Sequence, residues 1–297
     1  MSATSVTAAR GRAVSRARRP VRPGRVARRS GFFTLLAAFV LVSLFPFYWI
    51  VVTSLETPAQ LAKGTTGLFP GHITFSNYID DFTQQDFIRP LLNSVGVAVV
   101  TTALTVVIAT MAGYALSRTR IHGKMAVLGF VLLASFFPPL AIVGPIFIAY
   151  RKIGLLDTLP GLVIVYLILT LPLATWLLTN YFAQIPFELE EAAIVDGTTR
   201  VQALRKVILP VAMPAVFTVA ILSFIFAWND FTFVVSLIST PNNYTAPLAI
   251  YTLGQSQYQT FYNLIDAAVV IIALPVALLM IFAQRRIISG LTAGALK

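Results

Sequence analysis

The stretch Phe32-Phe33-Thr34-Leu35-Leu36-Ala37-Ala38-Phe39-Val40-Leu41 decides the fold class, because as a helix it would be apolar on every face. A helix on the surface of a soluble protein has a polar face, whereas a helix surrounded by lipid does not need one. The whole chain agrees with this stretch: of 297 residues, 57% are hydrophobic and only 11% are charged. Soluble domains carry about 25% charged residues. The composition therefore predicts a membrane protein and excludes an ordinary soluble enzyme or a DNA-binding domain.

Six apolar stretches are long enough to cross a bilayer as helices, for which about 20 residues are needed. They lie at residues 32–53, 91–116, 125–150, 158–182, 212–239 and 264–283. None of them alternates in polarity as the strands of a membrane barrel do. We therefore predict an all-α, polytopic membrane protein whose six transmembrane helices form one domain, residues 31–290.

The basic residues predict the orientation of the chain, since Lys and Arg near membrane spans stay in the cytoplasm. Eighteen of the 22 lie in residues 1–30, 117–124, 183–211 and 284–297, which share one side of the predicted membrane. Both termini are thus expected in the cytoplasm, and the net charge of +11 needs no nucleic acid to explain it. Residues 1–30 hold nine Arg and no acid, so we predict a disordered tail that can touch anionic lipid. Residues 291–297 form a second cytoplasmic tail.

The loop between the fourth and fifth spans, residues 183–211, has the clearest local signals. Pro186 suits the first turn of a helix, and Asp196-Gly197 suits its end, where Gly adopts the left-handed conformation. Thr199-Arg200-Val201-Gln202 has the form of a capping box, which predicts a second helix running to Pro210. A helix, a glycine turn and a second helix would give a rigid element that can dock into a cleft on another protein.

The residue types offer no catalytic site. The chain has no Cys and only two His, at positions 72 and 122. It also lacks the Gly-x-x-x-x-Gly-Lys-Ser/Thr loop that would cradle the phosphates of a nucleotide. We predict that the chain is not an enzyme, and that it holds no catalytic residue, no metal and no cofactor of its own.

The loop resembles a known motif. Glu191-Ala192-Ala193, three residues, Gly197, nine residues and Val207-Ile208-Leu209-Pro210 is similar to the EAA motif of bacterial ABC importer permeases, with Val207 in place of the usual Ile. Three further stretches narrow the resemblance to the six-span subunit of the maltose/trehalose-type carbohydrate permeases. They are Asn93-Ser94, Phe226-Ala227-Trp228-Asn229-Asp230-Phe231 and the tail Gly290 to Lys297. The resemblance covers roughly residues 30–297, so the Arg-rich tail lies outside it.

The resemblance implies a set of partners: two ATP-binding subunits that hold ATP and Mg²⁺, a second homologous permease, and an extracytoplasmic solute-binding protein. Membrane lipid surrounds the chain. The residues implied in docking to an ATP-binding subunit are Glu190, Glu191, Ala192, Ala193, Asp196 and Gly197. A further contact to that subunit is implied for the tail residues Gly290, Leu291, Thr292 and Lys297. The loop 240–263 would face the solute-binding protein.

Three residues of the fifth span are candidates for lining a path through the membrane: Trp228, Asn229 and Asp230. An acid inside a bilayer is costly, which makes Asp230 a functional candidate. Asp230 could hydrogen-bond to the hydroxyls of a sugar. It could equally cap a broken helix or hold a neighbouring span, and Trp228 could simply pack.

The expected function is that of a permease subunit of an ATP-driven ABC importer in the cytoplasmic membrane of a bacterium. It would move a carbohydrate, a di- or oligosaccharide, by alternating access, coupled to the ATPase through the loop 183–211. One alternative is an ion-coupled secondary transporter with Asp230 as the coupling acid. Another is an ABC permease for a non-sugar solute such as a glycerol-phosphate ester.

Overall fold

The computed structural model describes residues 23–63, 67–83, 86–119, 122–253 and 262–292. For residues 23–30, 62, 125, 134 and 283–292 within these ranges, it describes the backbone only. Throughout this described part, the regular secondary structure is helical. The α-helices are α1 Pro23–Ser54, α2 Pro58–Ala62, α3 Ser76–Thr83, α4 Ile88–Arg118, α5 Lys124–Ser135, α6 Pro139–Ile153, α7 Leu159–Gln184, α8 Phe187–Val195, α9 Arg200–Ala203, α10 Leu209–Asn229, α11 Thr232–Leu237, α12 Ala246–Thr252 and α13 Tyr262–Thr292. The predicted all-α class is confirmed.

Among the residues that the structure describes, five stretches of continuous helix are long and apolar enough to cross a membrane. They are Gly31–Ser54, Ile88–Arg118, Leu159–Gln184, Arg200–Asn229 and Tyr262–Phe282. The remaining predicted span, residues 125–150, is built from two helices, α5 and α6. The break falls at Pro138, which is extended (φ −61°, ψ 124°). A residue that precedes a proline is driven out of the helical conformation, so the pair Pro138-Pro139 divides this span.

The part of α1 before Trp49 forms one unit and the chain from Trp49 onward a second. Within the first unit, α1 begins at Pro23, inside the predicted tail 1–30. Residues 1–22, which make up most of that tail, lie outside the described residues. At the other end, α13 continues to Thr292, beyond the predicted domain boundary at residue 290.

The core of the second unit is the packing of α4 against α7 and α10. The hydroxyls of Thr105 in α4 and Thr170 in α7 lie 2.8 Å apart in a hydrogen bond. Further along α4, a Cβ at Gly113 would come within 3.0 Å of Leu178 Cβ and of Thr179 N. Small residues allow the backbones of membrane helices to approach closely. The crossing of α4 and α7 therefore depends on the absence of a side chain at Gly113.

The prediction that residues 212–239 form one continuous fifth span is wrong after Asn229. The helix α10 ends at Asn229, and Asp230 is extended (φ −68°, ψ 129°) before α11 begins. The carboxylate of Asp230 accepts hydrogen bonds from the backbone N–H groups of Phe233 and Val234, at 3.0 and 3.4 Å. A carboxylate bound to the first free N–H groups of a helix favours a new start over continuation. The apolar sequence alone does not reveal this break.

The prediction that the second loop helix ends at Pro210 is also wrong. The capping box forms as predicted, since Gln202 N donates to Thr199 Oγ1 and Thr199 N donates to Gln202 Oε1. After α9, however, residues 204–208 form a wider π-helical turn that leads directly into α10. Pro210 lacks an N–H and sits in the first turn after this widening. Because the wide turn accommodates the proline, the loop helix and the fifth span form one continuous rod.

The segment between the first two spans carries a buried acid. Asp81 in α3 has no exposed surface, and neither of its carboxylate oxygens has a hydrogen-bond partner. Burial, together with the neighbouring carboxylate of Asp80, raises the pKa of Asp81 to about 7. The helix α3 packs against α13. This acid is therefore a source of pH-dependent stability in the segment between the first two spans.

We expect the free energy of unfolding to fall as the pH rises from about 4 through 7. The folded chain keeps the Asp81 carboxyl protonated up to a pKa of about 7, whereas the ordinary pKa of an Asp carboxyl is 3.8, so rising pH favours the unfolded chain. Asp81→Asn should remove this slope and stabilise the protein at pH 8 by about 1 kcal/mol or more. Thermal unfolding of the purified protein at pH 5 and pH 8 measures both effects. Asp80→Asn should flatten the slope only in part, and identical slopes for wild type and Asp81→Asn would contradict the assignment.

Candidate functional site

The loop helix α8 presents a surface to solvent. Of the six residues predicted to dock, Glu191, Ala192, Asp196 and Gly197 are exposed. Val195 on the same element is 85% exposed, although it is apolar. The glycine has φ +86°, the left-handed conformation predicted for the helix end, and its position has nothing within 4 Å of a Cβ. The exposed surface thus combines an acid, a small residue, an apolar side chain and a tight turn.

The other two predicted docking residues, Glu190 and Ala193, face inward. Both are buried, and the carbonyl oxygen of Ala193 accepts hydrogen bonds from Thr198 N and Thr198 Oγ1, at 3.1 and 2.6 Å. Residues three apart share one side of a helix, which puts 190 and 193 together on the face opposite to solvent. Glu190 and Ala193 therefore hold the loop together and do not contribute side chains to its outer surface.

Glu190 meets the C-terminal end of α4. Its Oε1 accepts a hydrogen bond from Tyr114 OH at 2.5 Å, and its Oε2 lies 3.4 Å from Arg118 Nε. The Arg118 side chain also donates from Nη2 to the carbonyl oxygen of Ile185 at 2.8 Å. Its guanidinium carbon lies 4.3 Å from the centre of the Phe187 ring. Sequence analysis counted Arg118 only as a cytoplasmic charge and missed this cluster.

The three path candidates differ in their exposure. Trp228 is only 1% exposed, its Nε1 donates to the carbonyl oxygen of Ile272 at 3.2 Å, and its ring stacks on Phe224. Trp228 is thus a core residue, and the interpretation that it packs is the one that the structure supports. Asn229 is exposed, with its Nδ2 donating to the carbonyl oxygen of Ile225 at 2.9 Å.

Asp230 is half-buried at the break between α10 and α11. Besides the two backbone N–H groups of α11, it accepts a hydrogen bond from Tyr166 OH of α7 at 2.8 Å. All three bonds end on the same oxygen, Oδ2. The other oxygen, Oδ1, takes part in none of these three bonds. The carboxylate therefore joins α7, α10 and α11 through one of its two oxygens.

An open pocket lies beside Asn229. It is lined by Asn229, Phe231, Pro247, Ile250, Tyr251 and Ile272. The rings of Phe231 and Tyr251 have their centres 5.4 Å apart. Sequence analysis did not select this aromatic pair, because Phe231 and Tyr251 are 20 residues apart in the chain and nothing in their local pattern connects them.

The loop after α11 is hydrogen-bonded to Asn93 in α4 and to Asp157, which lies just before α7. Asn93 Nδ2 in α4 donates to the carbonyl oxygens of Asn242 and Tyr244, both at 2.9 Å. Asp157 accepts from the backbone N–H groups of Ser239 and Thr240, both at 3.0 Å. Although burial opposes it, these bonds and one from the Thr240 hydroxyl lower the pKa of Asp157 to about 2. The start of the predicted binding-protein loop, residues 240–244, is therefore hydrogen-bonded to α4 and to Asp157.

Two predicted contacts extend beyond what the structure describes. Residues 254–261 of the predicted binding-protein loop lie outside the described residues, as does Lys297 in the tail. Gly290, Leu291 and Thr292 belong to the last turns of α13, where only the backbone is described. Among the described residues, no group of three or more His, Asp or Glu side chains is arranged to hold a metal ion.

The described residues form a helical membrane domain with an exposed loop helix fixed to its spans. The chain belongs to the family of binding-protein-dependent transport system inner membrane components, whose model matches residues 105–292. It is therefore a transport component and not an enzyme, and a multi-pass protein of the cell membrane. The partners of such a subunit include a solute-binding protein and an ABC ATPase.

Three comparisons illustrate the relationship. The trehalose transport system permease protein SugB of Mycobacterium tuberculosis is 41% identical over 91% of this chain and 99% of its own. The sulfoquinovosyl glycerol transport system permease protein SmoH of Agrobacterium fabrum is 39% identical over 89% of this chain and 92% of its own. A crystal structure of a bacterial ABC transporter that imports the acidic polysaccharide alginate matches with a TM-score of 0.74 and 26% identity. That match covers 89% of this chain and 98% of the other.

Proposed function

We propose that this chain is a permease subunit of an ATP-driven ABC importer that carries a di- or oligosaccharide across the bacterial cytoplasmic membrane by alternating access. The relatives named above transport trehalose, sulfoquinovosyl glycerol and alginate, all of which contain sugar units. Because the match to SugB extends over nearly the full length of both chains, the proposal covers the whole subunit.

The observation that carries the proposal is the exposed surface of α8 formed by Glu191, Ala192 and Gly197. This surface lies on a loop whose second helix is continuous with the fifth span. We propose that two ATPase subunits bind ATP and Mg²⁺, that one of them receives α8, and that the tail from Gly290 to Lys297 adds a contact. A second permease of similar fold would complete the path, and the outer loop would face the binding protein.

Asn229 and Asp230 remain our candidates for contact with the solute, now joined by the rings of Phe231 and Tyr251. The pocket lined by Asn229, Phe231 and Tyr251 offers an amide and two aromatic faces, and Asp230 is the neighbour of Asn229 in the chain. Aromatic rings give a large apolar contact area, which suits the carbon face of a sugar ring, while an amide and a carboxylate suit its hydroxyls.

The proposal is tested by reconstituting the chain with its ATPase, the second permease and the binding protein in lipid vesicles. ATP hydrolysis should rise when a transported sugar such as trehalose is added with the binding protein. An ionophore that collapses ion gradients should leave uptake unchanged, whereas an ion-coupled secondary transporter would stop. Stimulation by glycerol phosphate, but by no sugar in the panel, would support the non-sugar alternative instead.

The orientation is a separate prediction. With the cytoplasmic side assigned from the basic residues, the loop bearing α8 should be inside and the segment before α3 outside. Val195 and Phe69 are 85% and 80% exposed, so Val195→Cys and Phe69→Cys form a matched pair in a chain without cysteine. In intact spheroplasts an impermeant thiol reagent should label Phe69→Cys only, and permeabilised cells should label both. Labelling of Val195→Cys alone in intact cells would invert the topology.

A further inference from the structure

Two adjacent acids in α8 have opposite environments. Glu191 is exposed, whereas Glu190 is buried against the last turn of α4. Docking explains an exposed acid but does not explain a buried one. A buried carboxylate is costly unless it is paired, so its retention next to the docking surface needs a separate reason.

The contacts of Glu190 and Arg118 bracket the start of α8. Arg118 donates to the carbonyl oxygen of Ile185, two residues before the helix begins, and covers the ring of the first helical residue, Phe187. Tyr114 and Arg118 together hold Glu190, one turn further along. Three positions of the loop within six residues, 185, 187 and 190, are thus attached to one turn of one membrane helix.

The cluster is shielded from water. The side chains of Arg118 and Glu190 are only 2% and 10% exposed. Salt and water screen a buried pair much less than a pair on the surface. Long side chains on a protein surface usually move independently, but here burial fixes both ends, so the connection can transmit a displacement.

The tethered membrane helix, α4, lies at the centre of the helix packing. α4 packs along α7 and α10, with the Thr105–Thr170 hydrogen bond and the close approach at Gly113 tying it to α7. Near the cluster, the rings of Tyr114 in α4 and Phe182 in α7 lie edge to face, with their centres 6.3 Å apart. A displacement of α4 therefore has to move its neighbours as well.

We propose that Glu190 and Arg118, together with Tyr114, form a fixed tether between α8 and α4. Through it, movement of α8 by the ATPase becomes movement of the second span. The inference rests on the proposed function, because it assumes that an ATPase binds the outer surface of α8. Glu191 then contacts the ATPase, whereas Glu190 transmits the movement of α8 to α4. Glu190 is therefore a positioning residue that does not touch the ATPase.

Spin-label distances in the assembled transporter test the tether directly. Labels at Met111→Cys in α4 and Glu188→Cys in α8, both exposed positions, should show the same distance without nucleotide and after trapping with ATP and vanadate. Adding Glu190→Gln should make that distance differ between the two states. A distance that already changes in the parent complex overturns the proposal, and this measurement needs no substitution in the cluster itself.

The second readout is the amount of trehalose imported per ATP hydrolysed. In Glu190→Gln this ratio should fall by about five-fold or more, the scale of a lost coupling between sites, while the ATPase still co-purifies. Arg118→Lys keeps the positive charge, so it should retain part of the ratio that Glu190→Gln loses. Glu188→Gln, the same change at an exposed position of α8, should behave as wild type.

Comparison with Glu191→Gln separates the two roles. That variant should lose the ATPase, whereas Glu190→Gln should retain it. If Glu190→Gln loses the ATPase to the same degree, or keeps the wild-type ratio, the tether is wrong and the proposed function stands. If the unmodified chain does not bind the ATPase, the proposed function and the tether fall together, and this is seen before any variant is compared.

Discussion

Gly197→Val is expected to abolish transport and to loosen the association with the ATPase, while the chain still inserts into the membrane. The glycine has φ +86°, and a branched Cβ disfavours that conformation by roughly 1–2 kcal/mol or more. No atom lies within 4 Å of a Cβ at this position, so the effect would come from the backbone and not from a clash within the chain. The turn that orients α8 would have to change its shape.

Gly197→Asn is the matched control, since Asn tolerates the left-handed conformation far better than Val does. The Asn variant should keep most of the transport activity if transport requires the left-handed turn at position 197. Co-purification of the ATPase with the tagged chain, followed by uptake in vesicles, measures both consequences. Equal loss in the Val and Asn variants would mean that the space above Gly197, not its conformation, is required.

Glu191→Lys and Ala192→Asp test the exposed surface of α8 by changing its side chains. Truncating one member of a buried charge pair at an interface costs about 2–5 kcal/mol, and 1.4 kcal/mol corresponds to a factor of ten in affinity. We therefore expect at least a ten-fold weaker association with the ATPase in Glu191→Lys. Glu188→Lys makes the same change at another exposed position of α8 and should have little effect. Wild-type association and uptake in all of the Glu191, Ala192 and Gly197→Val variants would remove the main support for coupling through α8.

The second large effect is expected at Asp230. If its carboxylate contacts the solute, Asp230→Asn should raise the sugar concentration needed for half-maximal uptake by about ten-fold or more. Hydrogen bonds to charged groups contribute about 1.5–3 kcal/mol, which corresponds to this range. The assembled complex should remain intact, because Asn can still accept hydrogen bonds from Tyr166 and from the N–H groups of α11.

Tyr166→Phe separates the structural role of Asp230 from a role in solute binding. This variant removes the hydrogen bond from Tyr166 OH to Asp230 Oδ2 but leaves the carboxylate in place. It should lower thermal stability without changing the concentration dependence of uptake. If both variants lower stability equally and neither changes that dependence, Asp230 only holds the break between α10 and α11.

The sequence predicted the parts of the molecule that depend on local chemistry. The apolar spans follow from their length, since a bilayer selects about 20 residues of helix regardless of neighbours. The end of α8 at Asp196 and Gly197 and the capping box at Thr199 were predicted correctly, because caps are formed by residues within four positions of one another. The resemblance to the EAA motif likewise resides in a short stretch of fixed spacing.

Only the tertiary structure decided which of two adjacent acids is buried. Glu190 and Tyr114 are 76 residues apart, and no local pattern distinguishes Glu190 from Glu191. The same holds for Asp230, whose partner Tyr166 lies 64 residues away, and for Trp228, whose indole N–H bonds to a carbonyl of α13. Composition fixes how much apolar surface a helix offers, but the packing of α4 against α7 and α10 determines which polar groups lose water and must pair. The sequence by itself thus determined the class of membrane protein and the position of the loop 183–211, predicted to dock to the ATPase, and the packing of the spans determined how that loop is held.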